Sequence, residues 1–447
     1  MDNKILNYEM NDAFKKALHL VLDEHQNVFI TGSGGVGKSV FQEVLTHLLD
    51  KEGKSHISLA PTGVAALRIK GATIHRFFGF PIGPLDPESV KIKKWNEIEE
   101  IVRNLDVLIL DEVSMIRSDL FQTVSSALRQ IRGSREPFGG VQVVLLGDLF
   151  QLGPIVTDKT EKDFLMYKFG GFNFFQSPAY REAQFEFVEF EKCYRQQDQE
   201  FKDHLNKIRL GFFPDETQEY MNSRIISLDK YSEEVGHDYV YLVSNNKLRD
   251  QINAEKLSSL PGPVFRNWAK ISGQANIRES MLEEELILKS GATVMVLRNI
   301  GEDIVNGHVG IFEDVVEYRN DEGEKKEALK ISLEGNDVLI PLVEDVFYEY
   351  TWNKEEKKIE QKELGRIAQY PLTLSWARTI HKSQSATFPK VYLDLSGGFF
   401  PAGLVYTALS RVVSHGNLGL SKPLSERHVK VDDDIFNFYG KLIGEIE

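Results

Sequence analysis

The segment Thr31-Gly32-Ser33-Gly34-Gly35-Val36-Gly37-Lys38-Ser39 matches G-x-x-x-x-G-K-[ST] in full. Its residue types suit one task, holding a chain of phosphates. Glycines let consecutive backbone N–H groups turn inward around phosphate oxygens, and a helix starting at the loop's end adds partial positive charge. The Lys38 ammonium has the length to reach β and γ phosphates, and the Ser39 hydroxyl can ligate Mg²⁺. The expected cradle is therefore Gly32, Ser33, Gly34, Gly35, Val36, Gly37, Lys38 and Ser39. Gly32-x-Gly34-x-x-Gly37 also fits a dinucleotide fingerprint, which needs an acidic residue near the end of the second strand. That strand ends in Ala60-Pro61-Thr62, and Lys38-Ser39 has no role in the dinucleotide reading. A second site comes from Asp111-Glu112, delivered by the apolar run Val107-Leu108-Ile109-Leu110. Asp111 is placed to hold Mg²⁺ through its water shell and Glu112 to polarise the attacking water as general base. Together these residues point to hydrolysis of a nucleoside triphosphate with Mg²⁺ as cofactor.

Such groups need a sheet to hold them. Val28-Phe29-Ile30, Ile57-Ser58-Leu59, Val107 to Leu110 and Val143-Val144-Leu145-Leu146 read as buried strands. Between them, Phe14, Ala17, Leu18 and Val21 keep helical spacing, and Val40 to Leu49 predicts a helix that Gly53 can cap. Buried strands alternating with helices predict a parallel sheet covered on both faces. The pattern returns at Tyr239 to Val243, Leu372 to Leu374 and Val391 to Leu395, which predicts a second α/β domain. Within it, Ala292 to Leu297, Val309 to Val316, Ala328 to Leu333 and Val338 to Val343 follow one another without helical spacing. Turn signals at Asn320-Asp321-Glu322-Gly323 and Glu334-Gly335-Asn336-Asp337 separate them, so a small antiparallel barrel is expected there. The charge run Asn353 to Lys362 would lead the chain back to the second domain.

The chain has 447 residues, of which 42% are hydrophobic and 27% charged, a globular composition that excludes collagen-like and disordered classes. No apolar run reaches the 18 or so residues of a membrane span. The N-terminus Met1-Asp2-Asn3-Lys4 lacks the layout of a secretory signal. One cysteine, Cys193, excludes an intramolecular disulfide framework and a thiolate metal cage. A multidomain protein of the cytoplasm, nucleoid-associated if bacterial, is expected. With 53 basic and 67 acidic residues the net charge is −14, against the basic balance common in nucleic-acid binders. Binding is local, however, and Arg117, Arg129, Arg132 and Arg135, then Arg366, Arg378 and Lys382, form basic stretches.

Further motifs decide between machines. Ala60-Pro61-Thr62-Gly63-Val64-Ala65-Ala66-Leu67 is followed by Thr73-Ile74-His75-Arg76-Phe77-Phe78-Gly79-Phe80. After Asp111-Glu112 come Pro137-Phe138-Gly139-Gly140 and Gly147-Asp148-Leu149-Phe150-Gln151-Leu152. Then follow Cys193-Tyr194-Arg195-Gln196, Val305-Asn306-Gly307, Ala377-Arg378-Thr379-Ile380-His381-Lys382-Ser383-Gln384 and Tyr406-Thr407-Ala408-Leu409-Ser410-Arg411. In this order they resemble the motif series of superfamily 1 helicases, specifically the Pif1-like branch, from about residue 14 to residue 420.

That resemblance implies two RecA-like domains with ATP between them and an inserted SH3-like subdomain. Residues 1–180 would form the first domain, with a short insertion at about 75–100; 181–285 and 366–447 would form the second, and 286–365 the inserted subdomain. It further implies that Gln151 senses the γ-phosphate and that Arg195 and Arg411 act as arginine fingers, completing a site that already uses Lys38 and Glu112. Single-stranded DNA would lie on Thr62, Gly63, Thr73, His75 and Phe77, then Thr379, His381, Lys382 and Ser383, groups that hold phosphates without reading sequence. Phe77, Phe78 and Phe80 could offer stacking faces to bases, although a Phe-Phe-Gly-Phe stretch is more often core or a domain contact. The implied activity is ATP-driven movement 5′ to 3′ along single-stranded DNA, unwinding tailed or forked duplex, by a chain that is monomeric in solution and needs no membrane. A nucleotide-controlled P-loop switch and an RNA-directed motor remain open on the residues alone. The chain departs from the family pattern in places. Phe14 would align with a glutamine expected for adenine recognition, Gly153 replaces a proline, and Ser385 replaces a glycine.

Overall fold

The computed structural model describes residues 11–445 apart from 82, 89–94, 157, 197, 227–238, 301–303, 305, 320–322, 334, 354, 357, 385 and 398–399. Val305, Ser385, part of the insertion expected near 75–100 and the turn residues Asn320 to Glu322 and Glu334 thus lie outside the described residues. The chain divides into two compact units, Met1–Tyr194 with Phe347–Leu364 and Asn437–Glu447, and Arg195–Val346 with Gly365–Phe436.

The first unit is built on a parallel sheet. Its elements run α1 (Asp12–Leu22), β1 (Val28–Thr31), α2 (Lys38–Lys51), β2 (His56–Ala60), α3 (Gly63–Arg68), β3 (Ala72–Thr73) and α4 (Ile74–Phe78). They continue α5 (Trp95–Arg103), β4 (Val107–Leu110), α6 (Ser118–Arg132), β5 (Gln142–Leu146), α7 (Lys159–Phe169), α8 (Pro178–Ala183) and β6 (Glu186–Glu189). The strand order is β3-β2-β4-β5-β1-β6. Every neighbour is parallel. β1 and β4 are buried along their whole length, which is why both are unbroken apolar runs rather than alternating ones. The expected strands and the helix after the glycine-rich loop all form. β6 pairs with β1, so the first sheet extends past the boundary expected at residue 180.

Aromatic packing locks one face of this sheet. Phe14 meets Phe41 edge-on at 5.1 Å and stacks on Phe190 at 5.7 Å. Phe14 is therefore a core residue of α1, held among Ala17, Val21, Val28 and Val44. The Pro137-Phe138-Gly139-Gly140 motif proves architectural. Phe138 adopts φ 52° within it, its N–H donates to Ser125 Oγ at 3.0 Å, and its ring is wholly buried against Phe121. The first basic stretch is also used internally. Arg117 pairs with Asp119 at 2.8 Å and with Glu161, Arg129 pairs with Glu182, and Arg132 donates to the carbonyls of Val102 and Leu105. Only Arg135 of that set is exposed, so the stretch is no basic patch.

The second unit begins with α9 (Gln199–Arg209), α10 (Asp215–Asn222), β7 (Val240–Val243) and α11 (Asn246–Ser259). An all-β region follows: β8 (Phe265–Trp268), β9 (Lys270–Gly273), β10 (Glu285–Leu288), β11 (Thr293–Val296), β12 (Val309–Arg319), β13 (Lys325–Leu333) and β14 (Asn336–Pro341). Then come β15 (Val343–Asn353) and β16 (Lys358–Gln369), of which Phe347–Leu364 belongs to the first unit, and β17 (Leu372–Leu374). The chain closes with β18 (Arg378–Thr379), β19 (Val391–Leu393), α12 (Leu404–Leu409), β20 (Leu418–Leu420) and α13 (Asp433–Leu442).

A parallel sheet of order β18-β7-β19-β20 forms the α/β part of this unit. The antiparallel sheet is β14-β13-β12-β11-β17, with Phe312, Leu329, Ile331 and Ile340 in its core. Two expectations fail here. Leu372 to Leu374 belongs to this antiparallel sheet, paired with β11, because the chain completes that sheet before it returns. The charged run Asn353 to Lys362 is not a plain linker, since Asn353 ends β15, Lys358 to Lys362 begin β16, and Glu355-Glu356 turn between the two strands. The all-β region consequently starts near Phe265, ahead of the expected residue 286. Among the described residues, no helix is long and apolar enough to cross a membrane.

Candidate nucleotide and nucleic-acid site

The functional residues gather where parallel strands end. Leu110 lies level with Leu59 on one side and Leu145 on the other, and Leu146 lies level with Ile30. Ala60 in turn lies level with Thr73. This register brings the phosphate loop after β1, Asp111-Glu112 after β4, Gly147 to Gln151 after β5, and Thr62 and Thr73 after β2 and β3 to one carboxyl edge of the sheet. Ligands of open α/β sheets lie at that edge.

The loop has the backbone a phosphate cradle needs. Gly32 adopts φ +147°, and a Cβ there would stand 2.3 Å from the Phe190 carbonyl oxygen. Gly37 adopts φ 92° at the N-cap of α2. Lys38 Nζ donates to the carbonyls of Gly32 at 2.7 Å and Ser33 at 3.1 Å, which holds its ammonium inside the loop. Ser39 occupies the first turn of α2. Two contacts from the Cys193-Tyr194-Arg195-Gln196 motif brace the loop, Tyr194 N–H to the Gly35 carbonyl at 2.9 Å and Cys193 Sγ to the Gly34 carbonyl at 3.5 Å. The residues present fit a triphosphate: glycines at positive φ, a lysine held within the loop and a helix start.

Asp111 and Glu112 are both buried. Glu112 sits at φ 50°, ψ 45°, a conformation that costs a non-glycine residue about 1–3 kcal/mol and marks functional sites. Its N–H donates to Asp111 Oδ1 at 2.9 Å. Arg68, which no motif singles out, donates through Nη2 to Asp111 Oδ2 at 2.6 Å and to Glu112 Oε1 at 3.3 Å. Burial raises the Asp111 pKa, with the Arg68 guanidinium acting in the opposite direction. Nothing in sequence spacing relates Arg68 to Asp111, because only the β2-β4 pairing makes α3 a neighbour of the end of β4. Gln151 is buried, and its Nε2 donates to Asp148 Oδ2 at 3.0 Å.

In the second unit Arg195 and Arg411 are neighbours of one residue, Ser410. Arg195 Nη1 donates to its carbonyl at 3.0 Å. Arg411 donates from Nη2 to the Ser410 hydroxyl at 2.7 Å, from Nε to the Thr407 carbonyl at 2.8 Å and from Nη1 to the Ala386 carbonyl at 3.3 Å. Arg411 is 1% exposed. In this arrangement it braces its own unit, and reaching a phosphate would require exchanging those bonds. Arg195 is only half-buried.

The strand candidates separate into two kinds. Thr62 caps α3 by accepting from Ala65 N–H, and Thr73 caps α4 by accepting from Arg76 N–H, so Gly63 and His75 open or follow helix starts at the sheet edge. His75 is half-buried, and burial with nearby Arg117 lowers its pKa. In the second unit Thr379 lies on β18, and His381 to Ser383 make the turn after it. Lys382 is exposed and His381 half-exposed there. Thr379 and Ser383 are buried, and the Ser383 hydroxyl donates to the Ile380 carbonyl at 2.6 Å.

Phe77, Phe78 and Phe80 are a correction. None is more than 5% exposed. Phe78 stacks on Phe80 at 4.9 Å, and Phe77 meets Phe78 and Tyr350 edge-on at 4.8 and 6.0 Å. Their faces pack on one another, leaving none for a base. Tyr350, on the β15–β16 hairpin, also accepts from Ser58 N–H at 3.0 Å.

The model of the PIF1-like helicase family matches residues 5–219. The crystal structure of Bacteroides sp Pif1 in complex with ADP-AlF4 superposes with a TM-score of 0.86 at 31% identity, covering 98% of each chain. The chain belongs to the Pif1-like helicase family. Among its Pif1-like relatives, the ATP-dependent DNA helicase Pif1 of Campylobacter jejuni is 29% identical over 93% of this chain and 95% of its own. The crystal structure of Bacteroides Pif1 bound to ssDNA superposes with a TM-score of 0.66 at 30% identity. The human member, PIF1, is 30% identical, and this chain spans 61% of its length. Family membership accounts for the two-sheet α/β fold and for the motif order along the chain.

Proposed function

We propose that this Pif1-like chain is an ATP-dependent DNA helicase that moves 5′ to 3′ on single-stranded DNA and separates tailed or forked duplex. The observation that carries the reading is the shared carboxyl edge, where the phosphate loop, Asp111-Glu112 and the capped helix starts after Thr62 and Thr73 stand side by side. Its relatives are named as DNA helicases, which favours DNA over RNA as the track.

Lys38 and the loop amides bind the β and γ phosphates, and Gln151, positioned by Asp148, senses the terminal one. Ser39 and Asp111 are the residues placed to hold Mg²⁺, which would neutralise phosphate charge. Glu112 orients the attacking water and accepts its proton. Arg195, from the second unit, supplies a cation as charge spreads over the transferring oxygens. Thr62, Gly63, Thr73 and His75 hold strand phosphates on the first unit, and Thr379, His381, Lys382 and Ser383 form the corresponding region of the second. Thr379 and Ser383 contribute there through turn geometry and backbone N–H groups, since their side chains are buried. We take 286–365 as the core of an SH3-like subdomain, and the chain as a monomer in solution that acts in the cytoplasm. Each base-pair step costs about 1.4 kcal/mol of stacking.

The deciding experiment places 5′-tailed and 3′-tailed duplexes side by side, with ATP turnover measured with and without oligo-dT. Unwinding of the 5′-tailed substrate and strong strand stimulation are expected. Strand-independent turnover without unwinding would make the chain a nucleotide switch, and preference for the 3′ tail would reverse the direction.

A further inference from the structure

Arg68 ends a short helix whose beginning and end face different chemistry. At the start of α3, Thr62 and Gly63 are strand candidates; at its end, Arg68 Nη2 rests 2.6 Å from Asp111 Oδ2 and 3.3 Å from Glu112 Oε1. The other Asp111 oxygen accepts from Glu112 N–H at 2.9 Å. The water shell of a divalent cation and the guanidinium compete for the same carboxylate oxygen, and two cations at one buried acidic pair would repel one another. Arg68 can leave, because its side chain is 33% exposed while that of Asp111 is 5% exposed. The helix is only about two turns long, so a shift at Thr62 is carried to Arg68 with little loss.

We propose that Arg68 is a positioning residue that acts as a latch. It neutralises Asp111 and Glu112, excludes Mg²⁺ from Asp111 Oδ2, and releases it when the strand engages Thr62 and Gly63. The latch suppresses hydrolysis away from DNA. This rests on the motor reading above for the identity of the strand, but the competition at Asp111 does not.

The test is a Mg²⁺ titration of the binding of a fluorescent, non-hydrolysable ATP analogue, followed by ATP turnover. In Arg68→Gln without DNA, the Mg²⁺ needed for half-maximal binding should fall about tenfold, the order expected on losing a hydrogen bond to a charged group. Arg68→Lys should fall between that variant and the native chain. Oligo-dT should lower the native midpoint and leave the Arg68→Gln midpoint where it was, and strand-free turnover should rise in Arg68→Gln. Native-like thermal unfolding with an unchanged or higher Mg²⁺ midpoint in both variants would overturn the latch. A midpoint that falls in Arg68→Gln but ignores oligo-dT in the native chain would overturn the strand coupling. Failure of the native chain to bind oligo-dT would instead strike the motor reading, with the Mg²⁺ shift still judged on its own.

Discussion

Arg195 and Arg411 converge on Ser410, the first on its carbonyl at 3.0 Å and the second on its hydroxyl at 2.7 Å. One serine thus ties the half-buried arginine to the buried one. The two are expected to respond differently to removal. Arg195→Ala should lower strand-stimulated turnover by about 10³–10⁵-fold, the range for an arginine finger, with thermal unfolding nearly unchanged. Arg411→Ala should also lower the melting temperature, because the Ala386 carbonyl loses a buried donor at about 1–3 kcal/mol, while the Thr407 carbonyl keeps the Ser410 hydroxyl. Calorimetry beside steady-state kinetics separates the effects, and a fully stable Arg411→Ala chain would contradict the bracing role.

Lys38 lies inside its own loop, so its loss should remove catalysis without disturbing the strand surface. Lys38→Ala is expected to cut turnover by about 10²–10³-fold or more while oligo-dT affinity stays close to native. A variant that still unwinds duplex would refute the phosphate-loop assignment.

The buried phenylalanines carry a stability prediction in place of a binding one. Phe77→Ala should destabilise the fold by about 3–5 kcal/mol, and Tyr350→Phe by about 1 kcal/mol through the lost hydroxyl contact with Ser58. Measured well below the melting temperature, oligo-dT affinity should hold for Tyr350→Phe. A large affinity loss with unchanged stability would restore base stacking to this stretch.

Burial lowers the pKa of His75 and of His381 from the ordinary value. Both imidazoles are therefore neutral at pH 7, and the unfolded chain takes up protons before the folded one does. Stability from these sites is complete above about pH 6.5 and is lost as the pH falls below it. Melting temperatures between pH 7.5 and 5.5 should fall more steeply for the native chain than for His75→Gln/His381→Gln. Parallel curves would show that these two histidines do not carry the effect.

Strand affinity should fall steeply and linearly on a log–log plot against salt, since phosphate contacts release counterions. A flat plot from titrations at several salt concentrations would count against the strand path through Thr62, Thr73 and Lys382.

Local rules suffice for much of this protein. The glycine pattern from Gly32 to Gly37 requires a cradle because only glycine accepts that backbone, and the unbroken apolar run Val107 to Leu110 requires burial on both faces. Both are properties of consecutive residues, so the phosphate loop, the Asp111-Glu112 pair and the first parallel sheet are legible in the amino-acid sequence itself. Motif order along the chain adds the family. What tertiary structure alone decides lies in pairings between distant segments. Leu372 to Leu374 reads like any buried strand until β11 pairs with it, and Phe77 could serve a base or a core until Phe78 and Tyr350 cover it. Arg68 acquires its role only because β2 lies beside β4, an adjacency that leaves no trace in spacing. Backbone conformation is written within a few residues, whereas the neighbour that neutralises a charge or covers a ring is chosen by the packing of the whole unit.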